Sequence, residues 1–291
     1  MAQNVTILCL LIRIALVFTQ VGRKQFEIKM AYTFRGYWDN IHFLSAQRFH
    51  IQAEVTKVCF ELKESILGDP NFTNFNFQEL MSKQSIDKIL NKISLDKVYR
   101  STKSHVTSHP ETVYLTIVDK DLNAVSFINS ICHAFGSGIC SENSGVLFQN
   151  RGVNFRLEES HPNCIDSNKR PLHTIIPGML TNKNNETVMS YGVMGGQYQP
   201  IGQAHVLQNI FEFGMSMQEA IDAQRAFALN GRLKIEKSFS EPLIKDLSNL
   251  GHDLQLAEDA IGGGQGIIID RKKGVLIGGS DPRKDGLAIG Y

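Results

Sequence analysis

The chain has 291 residues, of which 42% are hydrophobic and 20% charged, and its formal net charge is +1. This composition is that of a globular protein with one large domain or two small ones. A charge so close to zero argues against nucleic acid as a partner, because nucleic-acid binding needs a basic surface. The five cysteines have no metal-ligand spacing, and no cofactor motif occurs, so neither a metal nor a cofactor is expected.

The N-terminal stretch 5–18 is apolar but is interrupted by Arg13 and has no basic residues before it. It is too short for a membrane-spanning helix and is weak as a secretory signal. A buried helix is favoured, with a degenerate signal peptide or an uncleaved anchor as the alternative. The compartment stays open, the cytoplasm being favoured over secretion or a membrane anchor.

Apolar residues recur at helical spacing over 43–67, which predicts one long amphipathic helix that ends at Gly68. Its intervening polar residues are expected on a solvated face. Shorter helices are predicted at 77–81 and 86–93. The segment 101–111 is polar, contains a proline and has no hydrophobic pattern, so it is expected to be an exposed linker.

Apolar residues alternate on both sides of a polar turn at 119–123, which predicts a β-hairpin whose first strand begins at Thr112. Further elements follow in a mixed order. They are strands at 174–180 and 187–192, helices at 197–213 and 216–229, a strand at 232–236, a helix at 240–250, and strands at 265–270 and 274–279. This order indicates an α+β arrangement in which helices sandwich two sheets.

Four segments of the chain resemble the γ-glutamyltransferase (glutathione hydrolase) family of N-terminal-nucleophile hydrolases, in its shorter-loop bacterial form. They are the hairpin region TVYLTIVDKDLNAVSF…FGSG, the pair NKRPLHTIIP and GVMGGQ, the terminal GGSDPRKDG…GY, and SAQRFHIQAEVTKVCFELKESILGDP. The resemblance implies a four-layer αββα sandwich. Because family precursors carry a longer upstream segment, the sandwich is expected to be incomplete on its N-terminal side. The implied domains are an unassigned segment 1–42, a large-subunit-like helical region 43–111 and a catalytic region 112–291.

The resemblance also implies a chemistry. The chain would cut itself between Glu111 and Thr112, and the freed α-amino group, with a pKa of about 8, would activate the Thr112 hydroxyl as a nucleophile. Ser130 matches a hydroxyl that bonds the nucleophile. Gly195 and Gly196 match the pair whose N–H groups form the oxyanion hole.

The position of the nucleophile follows from a count along the family pattern. The family nucleophile lies seven positions before the first aspartate of the turn, here Asp119, and this selects Thr112 over Thr107. Without the surrounding motifs, Thr112 would be interpreted as an ordinary strand residue.

Arg151, Asn154, His173 and Thr174 match the substrate-binding positions of the family. Asn154 stands where an acid usually grips the substrate ammonium, and Arg151 replaces a neutral amide and could bind a carboxylate. The implied partners are glutathione or another γ-glutamyl compound and, as a heterodimer, the chain's own cleaved fragment. Three hypotheses follow: a γ-glutamyl hydrolase, an inactive family member with a binding or scaffold role, and an acylase for another acyl group.

Overall fold

The computed structural model describes residues 41–73, 76–80, 82–100 and 110–291. The predicted helix at 5–18 and most of the predicted linker, 101–109, lie outside these residues. In the part of the chain that the structure describes, no helix is long and apolar enough to cross a membrane.

The described residues form helices and strands in mixed order. The helices are α1 Ala46–Ile66, α2 Phe77–Leu80, α3 Lys83–Leu90, α4 Gln199–Phe211, α5 Met217–Asp222 and α6 Glu241–Asn249. The strands are β1 Pro110–Val118, β2 Ala124–His133, β3 Gly178–Thr181, β4 Thr187–Met194, β5 Ala226–Leu229, β6 Arg232–Ile235, β7 Leu254–Leu256, β8 Gly263–Asp270 and β9 Val275–Ser280. The predicted α+β class is confirmed.

Helix α1 is buried on nearly all sides, so the prediction of a solvated polar face is wrong. Ser45 caps its first turn by accepting the N–H of Arg48. The helix packs against β5 and α6, which removes its polar side chains from water. These side chains find partners inside the protein: the Arg48 guanidinium donates to the Phe43 carbonyl at 2.8 Å, and the Lys57 ammonium lies 2.6 Å from the Glu54 carboxylate.

The central sheet has the order β3-β4-β8-β9, all antiparallel. Alternate residues of a strand face opposite sides of a sheet, and β4 shows what lies on each side. Ser190 hydrogen-bonds Thr116 of β1, whereas Val193 approaches Gly202 of α4. The hairpin β1–β2 therefore covers one face of the sheet, and helices α4 and α5 cover the other.

The predicted helix at 216–229 is wrong in its second half. Ser216 and Glu219 form a capping box at the start of α5, but α5 ends at Asp222. Residues 226–229 are strand β5, which pairs antiparallel with β6 in a second sheet of order β5-β6-β7. Burial and pairing of this segment outweigh its helical composition.

Candidate active site

The bond between Glu111 and Thr112 lies inside a strand, because β1 begins at Pro110. The predicted exposed linker therefore ends before Pro110. The ladder with β2 shifts register here: Glu111 pairs with Cys132, but Val113 pairs with Asn129. Thr112 lies within this irregularity and is half-buried.

The Ser130 hydroxyl contacts the carbonyl of this same bond. Its Oγ donates to the Glu111 oxygen at 2.8 Å and accepts the N–H of Cys132 at 3.1 Å. Cys132 is held in the left-handed region with φ of 81°. Since a hydroxyl has one proton to donate, Ser130 polarises the Glu111 carbonyl in the uncut chain. The resemblance implies a hydrogen bond between Ser130 and the Thr112 hydroxyl, and Ser130 can donate to that hydroxyl only after Glu111 leaves.

A short 3₁₀ turn, Arg151–Asn154, supplies two of the predicted substrate-binding residues. The Arg151 guanidinium donates to the Ser130 carbonyl at 3.1 Å, and burial lowers the pKa of this guanidinium. The Asn154 amide nitrogen donates to the Leu172 carbonyl at 3.0 Å, so its oxygen is left as an acceptor. That orientation suits a neutral contact with an ammonium group.

His173 and Thr174 lie on the loop before β3. The loop is tied to the end of α1 by Arg170, which donates to both carboxylate oxygens of Asp69 at 3.0 and 2.8 Å. Burial, helped by the charges of Arg151 and Arg170, lowers the pKa of His173 to about 4. His173 is therefore neutral at pH 7. Thr174 follows it and is half-buried.

Gly195 and Gly196 link β4 to α4 through the 3₁₀ turn Gly196–Tyr198. Their φ angles are 127° and 54°, and a Cβ on Gly195 would lie 2.8 Å from the Cα of Gly262. Position 195 therefore requires glycine, and the left-handed φ of Gly196 favours it. The turn contacts β1, and N–H groups at a helix start have no partner within the helix. Such groups can stabilise an oxyanion beside β1.

Gln199, the first residue of α4, is a site residue that sequence reasoning missed. Its Nε2 lies 3.4 Å from Thr112 Oγ1, and its Oε1 accepts the N–H of Ile176 at 3.2 Å. The side chain is completely buried. In the sequence, Gln199 stands out only as a polar residue three positions after Gly196 in an otherwise apolar helix start. This pattern does not reveal a contact with a distant strand.

A cavity of about 310 Å³ adjoins these residues. It lies between the end of α1, the segment 153–163 and the turn after Gly196, and it shares Asn154 with the predicted substrate contacts. Its charged lining comprises Lys63, Glu64 and Arg156, with N–O distances of 3.2 Å from Lys63 to Glu64 and 2.5 Å from Arg156 to Glu64. Two cations against one anion give this cavity a positive balance.

Among the described residues, His50, Glu54 and His252 bring their potential ligand atoms within 4.8 Å of one another. These atoms already have protein partners. The two imidazoles are 2.8 Å apart, the second nitrogen of His50 meets the Ser94 carbonyl at 3.0 Å, and Glu54 pairs with Lys57. The Lys57 ammonium opposes a further cation, so we interpret the group as a structural network.

The structure thus joins Thr112 to Gln199, Glu111 to Ser130, and Ser130 to Arg151 by hydrogen bonds. Asn154 connects this group to the loop that carries His173 and Thr174. The turn Gly196–Tyr198 contacts β1, which places the glycine pair beside that strand.

A family model described as Gamma-glutamyltranspeptidase matches residues 26–291. A glutathione hydrolase-like YwrD proenzyme of Bacillus subtilis (strain 168) is 32% identical over 257 residues, which are 84% of this chain and 48% of that protein. An oxamate amidohydrolase proenzyme of Klebsiella pneumoniae is 34% identical over 256 residues, again 84% of this chain and 48% of that protein.

A solved structure, the cephalosporin acylase of Bacillus halodurans, is also similar. It aligns with a TM-score of 0.78 and 33% identity over 98% of this chain and 50% of that chain. The chain thus spans about half the length of the relatives that it matches. These three similar proteins carry different substrate names, so the comparisons leave the substrate open.

Proposed function

The chain belongs to the gamma-glutamyltranspeptidase family, and from this premise we propose that it is a self-cleaving amide hydrolase with Thr112 as its nucleophile and γ-glutamyl compounds such as glutathione as substrates. The observation that carries the proposal is the setting of the 111–112 bond. Its carbonyl accepts the Ser130 hydroxyl at 2.8 Å, while Gln199 reaches the Thr112 hydroxyl at 3.4 Å.

In the proposed self-cleavage, Thr112 Oγ attacks the Glu111 carbonyl carbon and forms a C–O bond. Its proton passes to the Thr112 nitrogen as the C–N bond breaks, which leaves an ester. Water then hydrolyses the ester, releasing the Glu111 carboxylate and restoring the hydroxyl. Ser130 stabilises the oxygen that becomes negative in the first step, because a fixed donor at that position needs no reorganisation.

In the proposed substrate reaction, the free α-amino group of Thr112 is the general base. Thr112 Oγ attacks the γ-glutamyl amide, the glycine pair 195–196 holds the oxyanion, and the amine leaves with the proton. Water then releases glutamate from the acyl-enzyme. The proposed substrate contacts are Arg151, Asn154, His173 and Thr174. Hydrolysis is favoured over transpeptidation because the acceptor-side and ammonium-binding features are weak, Asn154 offering the substrate ammonium only a neutral acceptor.

The two pieces, 1–111 and 112–291, are expected to stay together as a heterodimer. Helix α1 belongs to the first piece, and its buried side chains pack on α6 and β5 of the second. The four-layer αββα sandwich would need a further layer over the outer face of β1–β2. That face is exposed in the described part of the chain, with Val113 65% and Phe127 51% exposed.

An acylase that takes another acyl group is the second candidate. The positively balanced cavity beside Asn154 and the guanidinium of Arg151 favour an acyl group that has an anionic end but no ammonium group, because a guanidinium repels an ammonium. The similarity to a cephalosporin acylase is consistent with a substrate other than glutathione.

The test is a self-cleavage gel of the purified 32.5 kDa chain. The wild type should split into two pieces, with Thr112 as the new N-terminus, while Thr112→Ala stays whole and Thr112→Ser splits. The processed protein should release glutamate from glutathione. Splitting without glutamate release would favour the acylase, and an uncut wild type that behaves like Thr112→Ala would leave only a binding or scaffold role.

A further inference from the structure

We propose that Gln199 is a positioning residue for Thr112, which fixes the hydroxyl for attack by donating a hydrogen bond to Oγ1. The inference rests on the proposed function and adds a residue that the family resemblance did not supply. Its starting point is the amide of Gln199, which bridges Thr112 on β1 and Ile176 on the loop before β3.

The orientation of this amide follows from its second partner. Oxygen and nitrogen of a glutamine side chain are hard to tell apart by shape, and hydrogen-bond partners decide between them. The backbone N–H of Ile176 can only donate, so the atom 3.2 Å from it must be the oxygen. The NH₂ group of Gln199 therefore faces Thr112 Oγ1 at 3.4 Å.

The position of Gln199 in the fold fixes the orientation of its side-chain amide. It is the first residue of α4, it follows the turn after Gly196, and it is completely buried. Buried side chains with two fixed partners have little freedom to rotate, and no solvent competes for their hydrogen bonds. The amide is thus set in place before the reaction begins.

This donor has a chemical consequence. When Gln199 occupies one lone pair of Oγ1, the hydroxyl proton points elsewhere and is free to pass to the Thr112 nitrogen. As that proton leaves and the bond to the Glu111 carbonyl carbon forms, Oγ1 carries partial negative charge, which the amide dipole stabilises. Loss of a short oxyanion-hole donor costs about 100- to 1000-fold in rate, and this longer contact should cost roughly 10- to 100-fold.

Gln203 provides a matched control. It lies one turn further along α4, is also completely buried, and donates through its Nε2 to the Ile176 carbonyl. Replacing Gln203 therefore disturbs the same helix and the same loop, but it does not remove the contact with Thr112.

The experiment measures self-cleavage rates of wild type, Gln199→Met, Gln199→Glu and Gln203→Met on gels from pH 4 to 8. Gln199→Met should cleave roughly 10- to 100-fold more slowly than Gln203→Met. Gln199→Glu keeps an acceptor for Ile176 but has no donor when ionised. Its rate relative to wild type should therefore be low at pH 8 and should recover as the pH falls and the carboxyl is protonated.

Each outcome has a distinct meaning. If the wild type cleaves and Gln199→Met cleaves as fast as Gln203→Met, the positioning role of Gln199 is overturned while the proposed function stands. A ratio of Gln199→Glu to wild type that is low and flat across the pH range also overturns it, because a purely structural defect would not follow protonation. A wild type that stays whole overturns the proposed function and this inference with it.

Discussion

The helix-covered face of the central sheet and the hairpin that covers its other face are built in different ways. On the helix side, a fully buried ion pair joins the segment between α5 and β5 to the end of β9. In this pair, Arg225 lies 2.6 Å from Asp281. The hairpin is fixed from one side only: Thr116 bonds Ser190 at 2.6 Å, while the apolar residues of its outer face remain exposed.

The difference shows how one fold can combine a stable interior with the bond that we propose is cleaved. Gln199 and the turn Gly196–Tyr198 are held by buried contacts, so their position does not depend on the exposed outer face of the hairpin. Two residues of β1, Pro110 and Glu111, can then be released from the ladder while the remaining strand still pairs with β2 through Val113 and its successors.

The buried ion pair should give the largest effect. Asp281→Asn removes the negative charge of a carboxylate. One oxygen of this carboxylate lies 2.6 Å from the Arg225 guanidinium and also accepts the N–H of Gly264 at 2.7 Å. Leaving a buried guanidinium unpaired should lower the free energy of unfolding by about 3–5 kcal/mol, measured by urea denaturation. The control is Asp253→Asn in the exposed pair with Arg232, where the loss should be below about 1 kcal/mol. Equal losses in the two variants would contradict the contrast.

The two faces of the hairpin should respond unequally to truncation. Tyr114 faces the sheet, lies against Gly192, and its hydroxyl is hydrogen-bonded to that of Ser126 at 2.7 Å. Tyr114→Ala should cost about 3 kcal/mol, whereas Phe127→Ala on the outer face should change stability by about 0.5 kcal/mol. Thermal unfolding of both variants measures this, and a similar loss for Phe127→Ala would mean that its outer face is covered in solution.

His173 should give a smaller, pH-dependent effect. Because its pKa is about 4 in the folded chain and 6.5 normally, only the unfolded chain gains a proton as the pH falls through this window. Stability is therefore retained above pH 6.5 and declines towards pH 4, by roughly 2 kcal/mol after allowance for partial exposure. The unfolding midpoint of His173→Gln should fall less steeply than that of the wild type over the same range. Parallel curves would show that burial does not perturb this imidazole.

Local patterns predicted the hairpin well because its turn is encoded by its own residues. The Asp119 carboxylate accepts the N–H groups of Asp121 and Asn123, which closes the turn where the sequence placed it. By contrast, residues 226–229 form a strand because β6 pairs with them, and α1 is buried because other elements surround it. Such long-range contacts leave no periodic signal in the segment itself.

The candidate site shows the same difference between what local patterns predict and what long-range contacts determine. Thr112, Ser130 and the glycine pair were identified by motif, and their grouping around β1 is visible in the structure. Gln199 carried no motif, since its role depends on α4 starting beside a strand that lies 87 positions earlier in the chain. The partner of Ser130 could not be predicted either, because it depends on Glu111 still being attached.

That last contact has a consequence for inhibition. In the proposed reactions, the Glu111 carbonyl, held by Ser130 at 2.8 Å, is the first acyl group that Thr112 would attack, and every later substrate would have to bring its own carbonyl carbon to the same hydroxyl. If the chain cleaves itself as proposed, the new C-terminus of the first piece would compete with substrate for the Thr112 hydroxyl. A synthetic peptide that ends in Ser-His-Pro-Glu, as this chain does after cleavage, should compete with substrate, and the amidated peptide should compete less because it lacks the new carboxylate.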